Sequence, residues 1–208
     1  MRLYDCTPAP SPRRVRIFLA EKGLDLPRVE VDLAAGEQYG DAFRAVNPRC
    51  TVPVLQFDDG TTLAETLAIC SYLEACHPSP VLLGHDALER ARVLEWNARI
   101  ETEGLQAIAE AFRNRSRGFQ DRALTGPEPH AQLPALVERG RRRSIAFLDM
   151  LDARLADVPY VVGNHYSLAD ITALVAVDFA TWIKLEIGER PHLARWHRAV
   201  SARPSAST

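Results

Sequence analysis

Lysine is almost missing from this chain of 208 residues: Lys22 and Lys184 are the only two among 25 basic residues. Acids nearly balance the arginines, at a net charge of −2, so neither nucleic acid nor an acidic membrane is expected as a partner. Cysteine is sparse as well. Cys6, Cys50, Cys70 and Cys76 show neither C-x-x-C spacing nor a Cys/His cluster, which excludes a cysteine zinc site and a redox dithiol. No metal is expected, and the thiols read as reduced cytoplasmic ones. No apolar run is long enough to span a bilayer, and Met1 leads into a strand instead of a basic-then-apolar leader. These absences leave a soluble, cytoplasmic chain with enough length for one large domain or two small ones.

The patterning that is present changes character partway along. Arg2 to Asp5 reads as a strand, followed by a loop, Thr7 to Pro12, too rich in proline for helix. A helix then carries Val15, Phe18 and Leu19 on one face and stops at Gly23. Val29 to Leu33 is a second strand, and a short helix surrounds Phe43. Val52 to Phe57 alternates apolar residues, Asp58-Asp59-Gly60 is a hairpin turn, and Leu67 to Cys76 completes a helix. This order, βαβ then ββα, is the thioredoxin-like arrangement. After a Pro-rich linker every segment reads as helix: Ala87 to about Arg117 with Gly104 inside it, Ala135 to Leu155, one beginning near Ser167, and Pro191 to Ala202. The expected division is a thioredoxin-like domain over 1–78, a linker over 79–86 and an all-helical domain over 87–208, an α/β plus all-α chain. The last residues are expected to fray.

One stretch carries the functional reading. Pro53 opens a strand although it has no N–H for a ladder, which calls for a special backbone. A cis Val52-Pro53 bond in a tight turn would leave the Val52 N–H and C=O facing a ligand as a further strand would. Glu65-Thr66 then opens a helix whose first N–H groups lack intrahelical partners and favour an anion. A Thr66 hydroxyl with those N–H groups suits an α-carboxylate, and Glu65 suits an α-ammonium. Val-Pro followed by an acidic-hydroxyl pair at a helix start resembles the glutathione site of soluble glutathione S-transferases, bacterial forms in particular, and the resemblance covers nearly the whole chain. It implies a detoxifying enzyme that takes glutathione as co-substrate, a small hydrophobic electrophile as second substrate, and a homodimer. Glu101 or Glu103 would then reach the partner's site.

A thiol of pKa about 8.5 is only a few per cent thiolate at neutral pH, so such an enzyme must stabilise the sulfur anion. A charge-assisted hydrogen bond of about 1.5–3 kcal/mol would lower that pKa by about one to two units. The resemblance places the donor in the loop after the first strand, where Ser11 is the first choice and Thr7 the second. The stretch Ala9 to Arg16 resembles bacterial members with Ser or Asn just before the helix. Ser11 also reads as an N-cap with Pro12 at the first helical position. Cys6 reads as a packed thiol rather than a mixed-disulfide cysteine, and the crowded Arg13, Arg14 and Arg16 as partners of acids on other segments.

For binding, the resemblance implies Val52 and Pro53 for the cysteinyl backbone, and Glu65 and Thr66 for the γ-glutamyl end. Gln38, with Arg49 or Thr51, would take the glycyl carboxylate. Ala9, Ile108, Phe112 and Arg115 would wall the electrophile. Ser167 and Asp170 match the helix-capping signature of the family's second domain, a structural role. A glutathione-dependent disulfide reductase and a non-catalytic binding protein of the same fold are the two alternatives.

Overall fold

The computed structural model describes all residues from 1 to 208. Its first domain holds β1 (Arg2–Asp5), α1 (Pro10–Glu21), β2 (Arg28–Glu30), a 3-10 turn (Glu37–Tyr39), α2 (Asp41–Val46), β3 (Val54–Gln56), β4 (Thr62–Ala64) and α3 (Thr66–Cys76). The sheet order is β2-β1-β3-β4, with β1 and β2 parallel and the other pairs antiparallel. This is the thioredoxin-like order. A crossover helix is needed between the parallel strands, and α1 supplies it. The register sets Leu3 opposite Leu55, both wholly buried, against Val15, Ile17 and Phe18 of α1.

The second domain is entirely helical: α4 (Ala87–Arg99), a π-helical stretch (Ile100–Leu105), α5 (Gln106–Arg115), α6 (Pro134–Arg154), α7 (Leu168–Ala180) and α8 (Pro191–Ser201). Nearly every residue of α7 is buried, which makes it the helix that the others surround. The core runs without a break from β1 and α1 into α7. No helix is long and apolar enough to cross a membrane.

Several local expectations need correction. The helix after β1 begins at Pro10 and not after Pro12, with Ala9 in the extended cap position. Ser11 is therefore inside the first turn and is not the N-cap. The reason is that N–H groups of the first turn lack intrahelical acceptors, so two prolines there break nothing. The long helix is not uniform, because it widens to π geometry across Ile100–Leu105. A Cβ on Gly104 would stand 2.6 Å from Phe147 Cζ, so this glycine makes room for a ring. Backbone approach occurs instead at Gly140, whose Cβ would lie 2.6 Å from Ala107 O.

The chain end does not fray. Pro204–Ser207 forms a 3-10 turn against α1, where Arg203 grips Glu21 through Nε and Nη2 at 2.7 and 2.6 Å. Ser205 Oγ donates to the same carboxylate. The three α1 arginines pair as expected with distant acids: Arg13 with Asp178, Arg14 with Glu101 and Arg16 with Asp5. Those pairs fasten α1 to α7, to the π stretch and to β1.

Candidate active site

The loop ahead of β3 is held by one side chain. Asn47 Oδ1 accepts from Arg49 N at 3.0 Å, while its Nδ2 donates to Thr51 O at 2.8 Å and to Thr51 Oγ1 at 3.1 Å. Cys50 takes φ 55° within that loop, and Val52-Pro53 is cis. The Val52 N–H and C=O make no main-chain hydrogen bond within the protein. They remain available to a ligand that runs alongside.

Directly after β4, Glu65 has φ 71°, a conformation that costs a non-glycine residue on the order of 1–3 kcal/mol. Its side chain is exposed, and no side chain caps the helix that it precedes. The first N–H groups of α3 are thus left open at the positive end of the helix dipole, where an anion is favoured. Thr66 is buried, and its Oγ1 donates to Ser11 O at 3.3 Å. That bond draws the starts of α1 and α3 together and sets Ser11 beside the open helix end.

The two candidate hydroxyls differ in what already engages them. Thr7 Oγ1 donates to Glu30 Oε2 at 3.0 Å, and Thr7 N donates to Glu30 Oε1 at 2.7 Å, so its proton is committed. Ser11 Oγ accepts from Arg14 Nη2 at 3.3 Å, which occupies a lone pair and leaves the hydroxyl proton free. Arg14 is buried and bonds Glu101 Oε1 at 2.5 Å. Glu101 is thereby engaged within its own chain, while Glu103 is exposed.

The remaining expected residues are more scattered. Gln38 is buried on the 3-10 turn, and its Oε1 has no partner. Arg49 is exposed and forms no ion pair. Ala9 is half-buried at the α1 cap, and Arg115 is exposed at the end of α5. Ile108, expected as a cleft wall, is instead wholly buried in the core, because the π turn rotates α5. Phe112 packs edge to face with Phe119, Phe179 and Trp182.

Sequence reasoning missed Arg113, Phe119 and Arg122. Arg113 lies 4.7 Å over the Phe119 ring, and Arg122 Nη1 reaches Leu33 O of the first domain at 3.4 Å. Burial pushes the Arg113 guanidinium below its usual value, and the nearby Tyr39 phenol opposes this. The turn at Arg117–Phe119 has no periodicity, so nothing in its composition reveals the stack. Cys6 is buried, and burial pushes its thiol upward, as suits a packed residue.

A thioredoxin-like domain with an exposed main-chain edge beside an open helix start, joined to an all-helical domain, defines a two-domain class of protein. Comparison with known proteins specifies it. The family model for the glutathione S-transferase N-terminal domain matches residues 9–76, and that for the C-terminal domain matches 119–204. Glutathione S-transferase 2 of Saccharomyces cerevisiae is 35% identical over 99% of this chain and 87% of its own length. The crystal structure of a glutathione S-transferase domain-containing protein from Marinobacter aquaeolei superposes with a TM-score of 0.91 at 36% identity, covering 99% of each chain. The disulfide-bond oxidoreductase YfcG of Escherichia coli is 26% identical over 95% of this chain and 89% of its own. The chain belongs to the glutathione S-transferase family and is an enzyme of that family.

Proposed function

We propose that this enzyme conjugates the sulfur of glutathione to a small apolar electrophile, with Ser11 stabilising the thiolate. The observation that carries the reading is the 3.3 Å bond from Thr66 Oγ1 to Ser11 O, which couples the carboxylate-binding helix start to the hydroxyl donor. Val52 would pair with the cysteinyl backbone beside Pro53, while Glu65, Thr66 and the α3 N–H groups would take the γ-glutamyl end. Together with Arg49 or Thr51, the buried Gln38 would face the glycyl end. Its amide nitrogen supplies the donor there.

The thiol proton leaves to solvent and Ser11 Oγ–H donates to the remaining anion. The sulfur lone pair forms the new C–S bond, and the electrophile's leaving group departs with its own pair. Ala9, Phe112 and Arg115 would wall the electrophile, with the Phe119 and Trp182 rings extending that surface. A homodimer is part of this reading, supported by family membership and checked by sedimentation equilibrium.

Ser11→Ala tests the proposal. Removing a charge-assisted bond of about 1.5–3 kcal/mol should lower kcat for an activated aryl chloride by about 10- to 100-fold. The KM for glutathione should stay within about threefold, because the bond is made to the reacting anion. Equal losses in both, or none in either, would overturn the role.

Similarity to YfcG favours disulfide reduction as the second reading. A buried Cys6 with a raised pKa would not serve as its nucleophile, so a second glutathione would have to replace the electrophile. Turnover of a glutathione mixed disulfide faster than any aryl or alkyl electrophile would select that reaction. Failure to bind glutathione in calorimetry would leave only a binding protein of this fold.

A further inference from the structure

Three metal-ligating side chains converge away from the glutathione cleft, where the linker meets the loop ahead of α7. His85 is the second-last residue of the linker, Glu89 lies on the first turn of α4, and His165 precedes the Ser167 cap by two residues. Their ligand atoms, two imidazole nitrogens and a carboxylate oxygen, all lie within 4.8 Å of one another. His165 Nδ1 stands 3.4 Å from Glu89 Oε1, and the two rings meet edge to face with centroids 4.9 Å apart.

Local structure holds this arrangement in place. Gly84 has φ +104°, and a Cβ there would lie 2.4 Å from Arg90 N, so the linker is pressed against the first turn of α4. Glu89 Oε2 accepts from His85 N at 2.8 Å, which orients the carboxylate and leaves Oε1 toward the rings. Asp86 Oδ1 caps α4 by accepting from Glu89 N at 2.8 Å. Two acids at this helix start offset the positive dipole end that would otherwise repel a cation. On the opposite side, reciprocal 3.0 Å bonds between Tyr160 and Gly163 tighten the loop that presents His165.

Neither ring has a side-chain hydrogen-bond partner other than Glu89. Zinc bonds of about 2.0–2.1 Å set tetrahedral ligand atoms about 3.3–3.4 Å apart. The His165–Glu89 pair already has that spacing, and a rotation of an exposed imidazole would bring the third atom to it. Two histidines and one carboxylate are a borderline donor set that suits zinc and its neighbours over calcium or magnesium.

We infer that His85, Glu89 and His165 form a binding site for one divalent ion of zinc type. His85 and His165 also line an open cavity of about 410 Å³ that Pro80, Tyr160 and Arg203 help to wall. An ion held there ties the inter-domain linker to the loop that starts α7, and it stabilises the joint without entering the transferase chemistry. This departs from the expectation of no metal, which rested on the cysteines.

Calorimetric titration of Zn²⁺ into the chelator-treated full-length protein tests the inference, with Tm measured in parallel. One site per chain in the micromolar range is expected, together with a rise in Tm on zinc addition. His85→Ala/His165→Ala should weaken binding at least about tenfold and abolish the Tm rise while conjugation of glutathione is unchanged. Cys76, the exposed cysteine, is present in both proteins and cancels from the comparison. Glu89→Gln retains an acceptor for His85 N, so it keeps the local fold and should also bind zinc less tightly. If the double variant misfolds, that single variant decides. Zinc uptake equal in wild type and variants, or absent below millimolar concentrations, would overturn the site.

Discussion

Asp170 is more than a helix cap, and its replacement by alanine measures by how much. The carboxylate is wholly buried and accepts from Val161 N at 2.9 Å, Ser167 N at 3.0 Å, Ser167 Oγ at 3.1 Å and Trp196 Nε1 at 2.9 Å. In Asp170→Ala the Ser167 hydroxyl can turn to another acceptor, but two backbone N–H groups and an indole N–H cannot. Each of the three orphaned buried donors costs about 1–3 kcal/mol, so the variant should lose about 3–9 kcal/mol. That is a large share of the roughly 5–15 kcal/mol that keeps a domain folded. Urea unfolding followed by tryptophan fluorescence reads the difference. A loss under about 2 kcal/mol, the size of an ordinary cap, would refute the view that Asp170 joins three separate segments.

The pH dependence supplies an independent check. Burial pushes the Asp170 carboxyl up to about 6, while bonds from Val161, Trp196 and Ser167 pull it down. Because this exceeds the ordinary 3.8, the folded chain binds more proton than the unfolded one between those values. The wild type should therefore lose stability from this group as pH rises from about 4 to about 6. Asp170→Asn cannot titrate, so its deficit relative to wild type should shrink across that window. A constant deficit would mean that the four donors, and not burial, govern the carboxyl.

Gly140→Ala should destabilise by about 2 kcal/mol in the same urea assay, because Ala107 O and Ala111 N are backbone atoms that cannot step aside, and overpacking outweighs the gain in helix propensity. Unchanged or raised stability would disprove the close contact between α5 and α6. Burial raises the Glu21 carboxyl, but hydrogen bonds from Arg203 and Ser205 outweigh it and hold it below the usual value. Its contribution is present above the unfolded pKa of about 4.3 and lost as pH falls through the lower folded value. Arg203→Gln should accordingly be less stable than wild type at pH 7, with the gap closing in acid denaturation; a gap independent of pH would contradict the pairing. Thr7→Val should leave the rate constant for conjugation within about twofold, since the Thr7 hydroxyl is engaged by Glu30 and supplies no thiolate donor.

The order of elements and the two-part architecture were legible in the chain because they depend on local signals. Alternation around Val54, a glycine turn at Gly60, and the change to helical period after the linker are all written within a few residues of one another. The unusual proline at Pro53 and the Glu65-Thr66 helix start were legible for the same reason, as was the Ser167–Asp170 cap. Pairing of Arg13, Arg14 and Arg16 with remote acids followed from the lack of local partners, although their identities did not.

Tertiary structure alone decided the rest, since it depends on which distant residues arrive at one place. Thr7 and Ser11 look equivalent along the chain until Glu30 engages one and Thr66 anchors the other. Ile108 has the composition of a cleft wall, but a π turn places it in the core, and helix phase across such a turn has no sequence marker. The tail looks disposable until Arg203 meets Glu21, 182 positions away. His85 and His165 are likewise separated by most of the second domain and meet only because Gly84 and the α7 cap bring their loops together. Local covalent order determines elements and turns, whereas the position of a proton donor or a charge depends on long-range packing that no short stretch encodes.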